Sequence, residues 1–435
     1  MRRLFPQSIY ARNVLTLMTG TTLAQAIPIA ISPILTRLYS PEEFGSFALY
    51  MAVTMIASVL VTGRYELAIL LPRQDRAALH IAALAITSSM VISAVLLLIV
   101  LFFAHPIAAL LGDAALAPWL YWAPVSTLLV GVYQSLNYWS NRKAQYKRLA
   151  ISRTVQSGSA AMAQLGSGYA GGGAAGLVAG QITGQVLATG VMARLIWRED
   201  HALIRALRPL RCLALGKRYI NFPKYLIVAH GFNTASGQMP VLLLGALFST
   251  SAAGFFTLTQ RVMAAPMSLI ANALGDVFRQ EASQAYIQQG NCRAIYKKTF
   301  KRLLLISVAP FTTFFFVAPA LFSWIFGEQW RVAGEYAQIL TPMAFFQFIT
   351  SPISQVAIIS GKQRIDLLWQ IVLFILLCAA FAVSGYFKSL QVALILFSVV
   401  YSLMYVAAGL INYKISFGGE NERIYKKAIA SEADR

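Results

Sequence analysis

Acidic residues and overall charge are scarce in this chain, and their scarcity excludes a water-soluble globular protein. Asp and Glu number 16 against 36 Lys and Arg, and charged residues make up 12% of the sequence. Soluble domains carry about twice that charged fraction. A chain of 435 residues that is 58% hydrophobic cannot hide its apolar surface in a water-soluble core, so we expect the lipid bilayer to be its solvent.

Cysteine is equally scarce, and the sequence contains no metal, redox or nucleotide motif that we can identify. Its three cysteines, Cys212, Cys292 and Cys378, are scattered and lack Cys-x-x-Cys or Cys/His ligand spacing, so we interpret them as free thiols. The Gly-Lys pairs at 216–217 and 361–362 lack the upstream glycine of a phosphate-binding loop. We therefore predict no cofactor, no bound metal and no ATPase site.

The basic excess is distributed in a way that argues against nucleic acid as a partner. The net charge is +20, but Lys and Arg occur in short runs between long apolar stretches. Such runs are typical of the cytoplasmic loops of membrane proteins. We predict a phospholipid membrane, and no nucleic acid, as the partner of these segments.

Apolar stretches long enough to cross a bilayer recur along the whole chain. A spanning helix needs about 20 such residues, and the stretch from Val14 to Leu35 is too long for a signal peptide, so we interpret it as a retained first span. The predicted spans lie near 14–36, 44–69, 78–104, 116–138, 149–170, 174–197, 221–248, 253–275, 300–326, 334–358, 365–387 and 390–413.

The fifth predicted span, 149–170, is the weakest because it contains Arg153, glutamines and several serines. We expect it to lie inside a bundle rather than against lipid. In the sixth span Gly176, Gly180 and Gly184 repeat at four-residue spacing, which predicts a close helix–helix approach.

The positions of the basic residues predict the orientation of the spans. The odd-numbered connections, counting Arg37 at a span end, hold only Arg37, Arg331 and Lys388, whereas the even-numbered connections and the two tails hold nearly all the other basic residues. Basic loops remain on the cytoplasmic side. We therefore expect both termini to be cytoplasmic.

These patterns predict an all-α integral membrane protein with twelve transmembrane helices in two six-helix lobes. Because six is even, the second lobe would enter the membrane in the same direction as the first, as a parallel repeat. The predicted domains are an N-terminal lobe at 1–197, a cytoplasmic amphipathic linker at 198–220, a C-terminal lobe at 221–413 and a cytoplasmic tail at 414–435. The linker alternates Ile204, Leu207, Leu210 and Leu213 with arginines, a pattern that fits either a helix on the membrane surface or a plain tether.

Four basic residues fall within the predicted spans, where a charge is costly unless it faces a cavity or a partner. Arg261 lies eight residues into the eighth span, about 12 Å from its outer end, and we favour a role as a cation that lines a central path. Arg64, with Glu66 beside it, is predicted at the inner interface. Arg153 and Lys224 enter their spans from the same side, and snorkelling to headgroups is the better explanation for each of these two.

Amide side chains are also frequent at span depth. Hydrogen bonds between helices explain many of them, and their number favours a hydrated lumen able to bind sugar hydroxyls. They are Gln25, Gln134, Asn137, Gln164, Gln181, Gln185, Asn233, Gln238, Gln260, Asn272, Gln347 and Gln355.

Three stretches of the sequence resemble a known transporter family. The first, 33–45, contains Arg37 near the end of the first span; the second, 63–72, contains Arg64 and Glu66; the third, 260–278, contains Gln260 and Arg261. Together with the span count they make the chain similar to polysaccharide flippases (O-antigen, Wzx-type) of the multidrug/oligosaccharidyl-lipid/polysaccharide (MOP) exporter superfamily.

The resemblance implies a MATE-like fold, two lobes around a cationic cavity, and no enzymatic activity. The implied substrate is an oligosaccharide on undecaprenyl diphosphate, moved from the cytoplasmic to the periplasmic leaflet of a bacterial inner membrane, with a polysaccharide polymerase or assembly machinery as a possible partner. Its diphosphate would meet Arg64 and Arg261. The full predicted substrate-binding set is Arg261, Arg64, Glu66, Arg37, Lys224, Arg153, Gln260 and Asn272.

Two alternatives remain open from the sequence. A cation-coupled multidrug exporter of the same superfamily would have the same fold, although such exporters commonly carry acids within their lobes, where this chain has few. A membrane glycosyltransferase or polymerase would typically carry a large catalytic loop outside the membrane. The longest predicted outer connection, 105–115, holds a single acid, Asp113, which argues against the enzyme.

Overall fold

The structure is a computed structural model that describes residues 9–205, 207–360 and 362–418. Side chains are described from Thr19 onwards, except at scattered positions, most of them in the eighth long helix. Every regular element in the described residues is helical. The prediction of an all-α membrane protein is confirmed.

Twelve helices of at least 20 residues lie within the described ranges, one over each predicted span. We label them α1 to α12 in chain order. Their bounds are Ile9–Leu38, Pro41–Val61, Asp75–Leu110, Ala123–Arg142, Tyr146–Tyr169, Gly173–Arg205, Ile227–Leu247, Thr250–Gln289, Arg293–Phe326, Arg331–Thr350, Gln363–Phe387 and Leu390–Ile415.

Six of these helices are long and apolar enough to cross a membrane: α2, α3, α6, α9, α11 and α12. A seventh is added if Ala114–Leu120 and Ala123–Arg142, which meet at 48°, form one broken span. The chain is thus a multi-pass membrane protein. The count of twelve spans stays a prediction, since α5 is as polar as its sequence suggested.

The break between α1 and α2 is encoded locally. Ser40 is the N-cap of α2: its hydroxyl accepts a hydrogen bond from the Glu43 amide at 3.2 Å, and the Glu43 carboxylate accepts one from the Ser40 amide at 2.7 Å. This reciprocal pair satisfies two amides that the first helical turn leaves free. Pro41 follows at the first helical position, where its missing N–H costs nothing.

The glycine repeat of α6 does produce close packing, as predicted. A Cβ atom at Gly176 would overlap Ser167, one at Gly180 would overlap Gln164, and one at Gly184 would lie 2.6 Å from the carbonyl oxygen of Gln156. All three neighbours lie on α5. The small residues therefore let the polar helix α5 pack against α6 with their backbones almost in contact.

The chain divides into two compact units, Met1–Thr257 and Leu258–Arg435, and the division falls inside α8. The first unit is larger than the predicted N-terminal lobe because α7 and the start of α8 pack tightly on α2. A Cβ at Gly45 would overlap the carbonyl of Thr250, and one at Gly254 would overlap that of Pro41. The lobe boundaries predicted from the sequence stay a prediction.

The linker is a docked element within the first unit. It contains a short helix, Pro209–Arg218, which we call the linker helix and which packs against α3. The Tyr65 hydroxyl donates to the Gly216 carbonyl at 3.3 Å, and Ile204 and Leu207 pack on the apolar core around Trp139. Leu210 remains 81% exposed. Part of the predicted amphipathic face is therefore buried against protein, and part is left free.

The second unit has its own apolar core, formed by the later turns of α8 with α9, α10 and the end of α12. Phe278, Leu303, Phe348 and Ile353 are among its fully buried side chains. This core fixes the relative position of α8, α9 and α10, which carry the site described next.

Candidate substrate-binding site

Arg261 lies on α8, eleven residues after the helix begins, or about 16 Å along its axis. Its side chain is half-buried. Within the described part of the chain, no acceptor lies within hydrogen-bond or ion-pair distance of the guanidinium. Helix α8 covers the eighth predicted span, and a charge within a membrane span is retained where it meets water or a ligand. The planar donor fork of arginine matches the oxygens of a phosphate.

Gln260, the preceding residue, lines a cavity of about 270 Å³ in the second unit, between α8 and α10. Gln347 of α10 and Ser351, the residue directly after that helix, bring polar groups, and neither glutamine amide has a hydrogen-bond partner among the described residues. The remaining walls include Met263, Met267 and Met343. Free amides in a largely apolar enclosure provide both donors and acceptors of the kind that orient a sugar.

Arg261 is not part of the wall of this cavity, although it adjoins Gln260 in sequence. Consecutive residues on a helix point about 100° apart. The two predicted site residues therefore lie on different faces of α8. An apolar cavity of about 220 Å³ lies beside the amide-lined one and shares Met263, Met267 and Phe348 with it.

Arg64 and Glu66 form a pair in the turn that ends α2, in the first unit. Gly63 and Arg64 both adopt left-handed conformations, with φ of 60° and 58°, which reverses the chain direction over two residues. Arg64 Nη1 lies 3.3 Å from Glu66 Oε1, and the Thr62 hydroxyl donates to Glu66 Oε2 at 2.5 Å. Glu66 is 1% exposed. Its carboxylate is thus engaged within the protein and positions Arg64.

Glu66 does not satisfy all the hydrogen-bond donors of Arg64. Its Nε atom is buried without an acceptor, while the side chain as a whole keeps 15% of its surface exposed. A phosphate that approached Arg64 would compete with Glu66 for the guanidinium. Arg64 is therefore a less available anion site than Arg261.

The other predicted site residues are distributed over separate elements. Arg37 is exposed in the last turn of α1. Arg153 donates to the Thr21 hydroxyl at 2.6 Å and thereby links α5 to α1. Lys224 is exposed, with its ammonium 5.3 Å from the ring centroid of Tyr225. Asn272 lies on α8, but its side chain is outside the described residues.

One further pairing of elements involves this set. The segments Tyr65–Leu70 and Phe222–Leu226 pack against each other, which brings the turn of Lys224 next to that of Arg64.

Ser351 and the three methionines of the amide-lined cavity were not singled out from the sequence. Their only signal was a spacing on α8 and α10 that any buried helix also shows.

Comparison with solved structures gives the fold. An inward-facing multidrug resistance MATE family transporter of the MOP superfamily matches 91% of this chain and 94% of its own, at 13% identity and a TM-score of 0.73. The lipid II flippase MurJ, in an inward closed conformation, matches 93% and 90% at 13% identity and a TM-score of 0.72. A MOP superfamily transporter from Pyrococcus furiosus matches 93% and 95% at 13% identity and a TM-score of 0.62.

The chain therefore has the fold of these three proteins. No match to a curated protein was found. The model of the family described as "Polysaccharide biosynthesis protein" matches residues 34–335. The chain belongs to this family, and the resemblance noted from its sequence motifs is confirmed.

Proposed function

We propose that this protein is a flippase for polyprenyl-diphosphate-linked oligosaccharides, the repeat units of a surface polysaccharide, and that it works by alternating access. The observation that carries the proposal is Arg261, a half-buried arginine in the eighth predicted span with no partner among the described residues. Membership of a polysaccharide biosynthesis family supports the sugar part of the substrate. The protein would not be an enzyme, since transport changes no covalent bond.

The physical problem that such a protein solves is the transfer of a charged, hydroxyl-rich headgroup through hydrocarbon. An unpaired anion in an apolar medium is very costly, and each unsatisfied hydroxyl adds to that cost. Arg261 would offset the charge of the diphosphate, and Gln260 and Gln347 would offer hydrogen bonds to sugars. The polyprenyl tail would stay in the lipid throughout.

The proposed direction follows from the charge of the cargo. In the proposed orientation both termini lie in the cytoplasm. The potential across a bacterial inner membrane is negative on that side. Outward movement of two negative charges would gain about 5 kcal/mol per 100 mV. Release would follow when the rearranged protein no longer holds the diphosphate against Arg261.

The test replaces Arg261 by Ala and by Lys in a deletion strain that needs the glycan. We expect Arg261→Ala to reduce surface polysaccharide by about ten- to a hundredfold, since a charge-assisted hydrogen bond contributes about 1.5–3 kcal/mol. Arg261→Lys should retain part of the activity, because it keeps the charge and loses the fork. Surface glycan and protein level are measured by blotting in the same cells.

Arg331→Ala is the matched control, because Arg331 is exposed and pairs with the exposed Glu328 at 3.7 Å. It should leave the glycan unchanged. Full surface polysaccharide with Arg261→Ala at normal protein level would refute the role of this residue. A deletion strain with unchanged glycan but increased drug sensitivity would instead identify a drug exporter of the same fold.

A further inference from the structure

A second cavity of the second unit, about 410 Å³ in volume, lies between α9, α10 and α12. We call it the basic groove. Its walls are apolar over most of their extent, and one end is formed by Lys297 and Tyr413. It shares no wall residue with the amide-lined cavity around Gln260. The other lining residues used below are Phe300, Leu304, Gly409 and Leu410.

Two cations lie at the end of the groove, and aromatic rings rather than acids hold them. Arg293 donates to the Tyr413 hydroxyl through Nε and Nη2, each at 3.3 Å, and its guanidinium lies 4.1 Å from the ring centroid of Phe417. The Lys297 ammonium lies 5.7 Å from the ring centroid of Tyr413. In the described part of the chain neither cation has a carboxylate within ion-pair distance. Among the residues that the structure describes, no acid therefore neutralises their positive charge.

The order of residues along α9 matches the order of groups in an amphiphile. Arg293, Lys297, Phe300 and Leu304 follow one another at helical spacing, so they lie along one stripe. The cations occupy the first two turns and the apolar residues the next two, over about 16 Å in all. A molecule with an anionic head and a hydrocarbon chain would meet complementary groups along its whole length.

We propose that the basic groove binds an anionic phospholipid, with its phosphate at Arg293 and Lys297 and one acyl chain in the apolar part. Positive charge at the membrane surface recognises anionic headgroups, and the apolar walls of the groove accept hydrocarbon. A sugar or an extended peptide would leave most of its polar groups unsatisfied against these walls. In the proposed orientation the lipid comes from the cytoplasmic leaflet, but binding itself does not depend on the transported substrate.

The test is native mass spectrometry of the full-length protein in detergent, titrated with phosphatidylglycerol or with phosphatidylcholine of the same acyl chains. We expect the wild type to retain phosphatidylglycerol preferentially. The double variant Arg293→Gln/Lys297→Gln should bind it about thirtyfold more weakly, if each cation contributes as a basic residue near a membrane surface does.

The matched control is Lys298→Gln/Arg302→Gln, which removes the same charge from exposed positions of the same helix that do not line the groove. A second variant, Gly409→Phe, fills the groove. A Cβ there would lie 3.2 Å from the Thr350 methyl group, a side-chain atom that would have to shift slightly. It should also weaken binding, whereas Leu403→Phe, at a 64% exposed position of α12, should not.

Three outcomes would overturn the proposal. The first is an equal loss of phosphatidylglycerol binding in Arg293→Gln/Lys297→Gln and in the control Lys298→Gln/Arg302→Gln, which would mean that diffuse surface charge binds the lipid. The second is equal binding of phosphatidylcholine, which would remove the headgroup from recognition. The third is complete displacement by an equimolar polyprenyl phosphate, which would assign the groove to the tail of a polyprenyl lipid instead.

Discussion

Arg64 and Arg261, two of the three arginines that the sequence placed in spans, have different surroundings. Arg64 faces the buried carboxylate of Glu66, which also accepts a hydrogen bond from Thr62. Arg261 has no such partner among the described residues. A paired buried charge contributes mainly to local structure, whereas a half-buried charge without a partner is available for a ligand.

Replacement of Glu66 by Gln should destabilise the turn after α2, because Arg64 would then lack its counter-charge. Removal of one partner of a buried pair costs about 3–5 kcal/mol, and the partial exposure of Arg64 places the expected loss at about 3 kcal/mol or below. Thermal unfolding in detergent, followed by tryptophan fluorescence, would measure the shift. The double variant Arg64→Gln/Glu66→Gln should recover much of the stability. Equal midpoints for Glu66→Gln and the wild type would show that the pair has no structural role.

Close packing of polar helices depends on the small residues between them. Helix α5 contains Arg153, Gln156 and several serines, yet it has a defined position between α1 and α6. Gly176, Gly180 and Gly184 provide one flat surface on α6, and Gly20 of α1 leaves room for Ala150 on the other side. The polar groups of α5 therefore find partners in protein, such as Gln185 for Gln156 and Thr21 for Arg153.

We expect Gly180→Leu to disrupt this packing, because the added side chain would collide with the backbone amide of Gln164 as well as with its side chain. Overpacking of this kind costs about 1–3 kcal/mol. Gly190→Leu is the matched control: it lies on the same helix, α6, and a Cβ there meets nothing within 4 Å. A lower midpoint of thermal unfolding for Gly180→Leu than for Gly190→Leu would agree with the packing. Indistinguishable midpoints would contradict it.

Across the chain, the first compact unit extends beyond the six helices expected for a lobe. Helix α7 packs along α2, and Gly245 of α7 lies against Leu49 of α2. The carbonyl of Gly245 also lies so close to Gly112, in the connection after α3, that a Cβ atom at Gly112 would overlap it. Together with Gly45 and Gly254, these glycines allow contact that larger residues would prevent. Under the proposed alternating access, α7 and the start of α8 would have to separate from α2 during the cycle.

The proposed orientation can be tested with single cysteines on a background in which Cys212, Cys292 and Cys378 are serines. Ala170 and Gln145 are exposed and lie on successive connections, at the two ends of α5. Basic loops stay inside, so a membrane-impermeant maleimide should label Ala170→Cys in intact cells with a permeabilised outer membrane. It should label Gln145→Cys only after lysis. The reverse pattern would place both termini outside.

Much of the architecture was predictable because it depends on local and periodic properties of the chain. The twelve apolar stretches correspond to twelve long helices, and the capping pair at Ser40 and Glu43 places the start of α2. The glycine spacing in α6 predicted a close helix–helix approach, and the structure shows that the neighbouring helix is α5. Each of these features depends on residues close together in sequence, where the helical period decides which side chains share a face.

The candidate site was less predictable, because its geometry depends on which helices become neighbours. The motif around Gln260 and Arg261 pointed to α8, yet the cavity also needs Gln347 of α10 and Ser351, which directly follows that helix. Arg153 was expected at a cationic mouth or near headgroups, which stays a prediction, and the sequence did not indicate its hydrogen bond to Thr21 of α1. No pattern within one span indicates the partner of a side chain more than a hundred residues away.

Composition, span pattern and short motifs were thus sufficient to establish a helical membrane protein of a polysaccharide biosynthesis family, since hydrophobic length and charge distribution act on each segment independently. The compact units, the pairing of Arg64 with Glu66, the amide-lined cavity and the basic groove became visible once the helices were packed. They depend on contacts between distant segments, and such contacts arise from the fit of whole helix surfaces rather than from the period of any one of them.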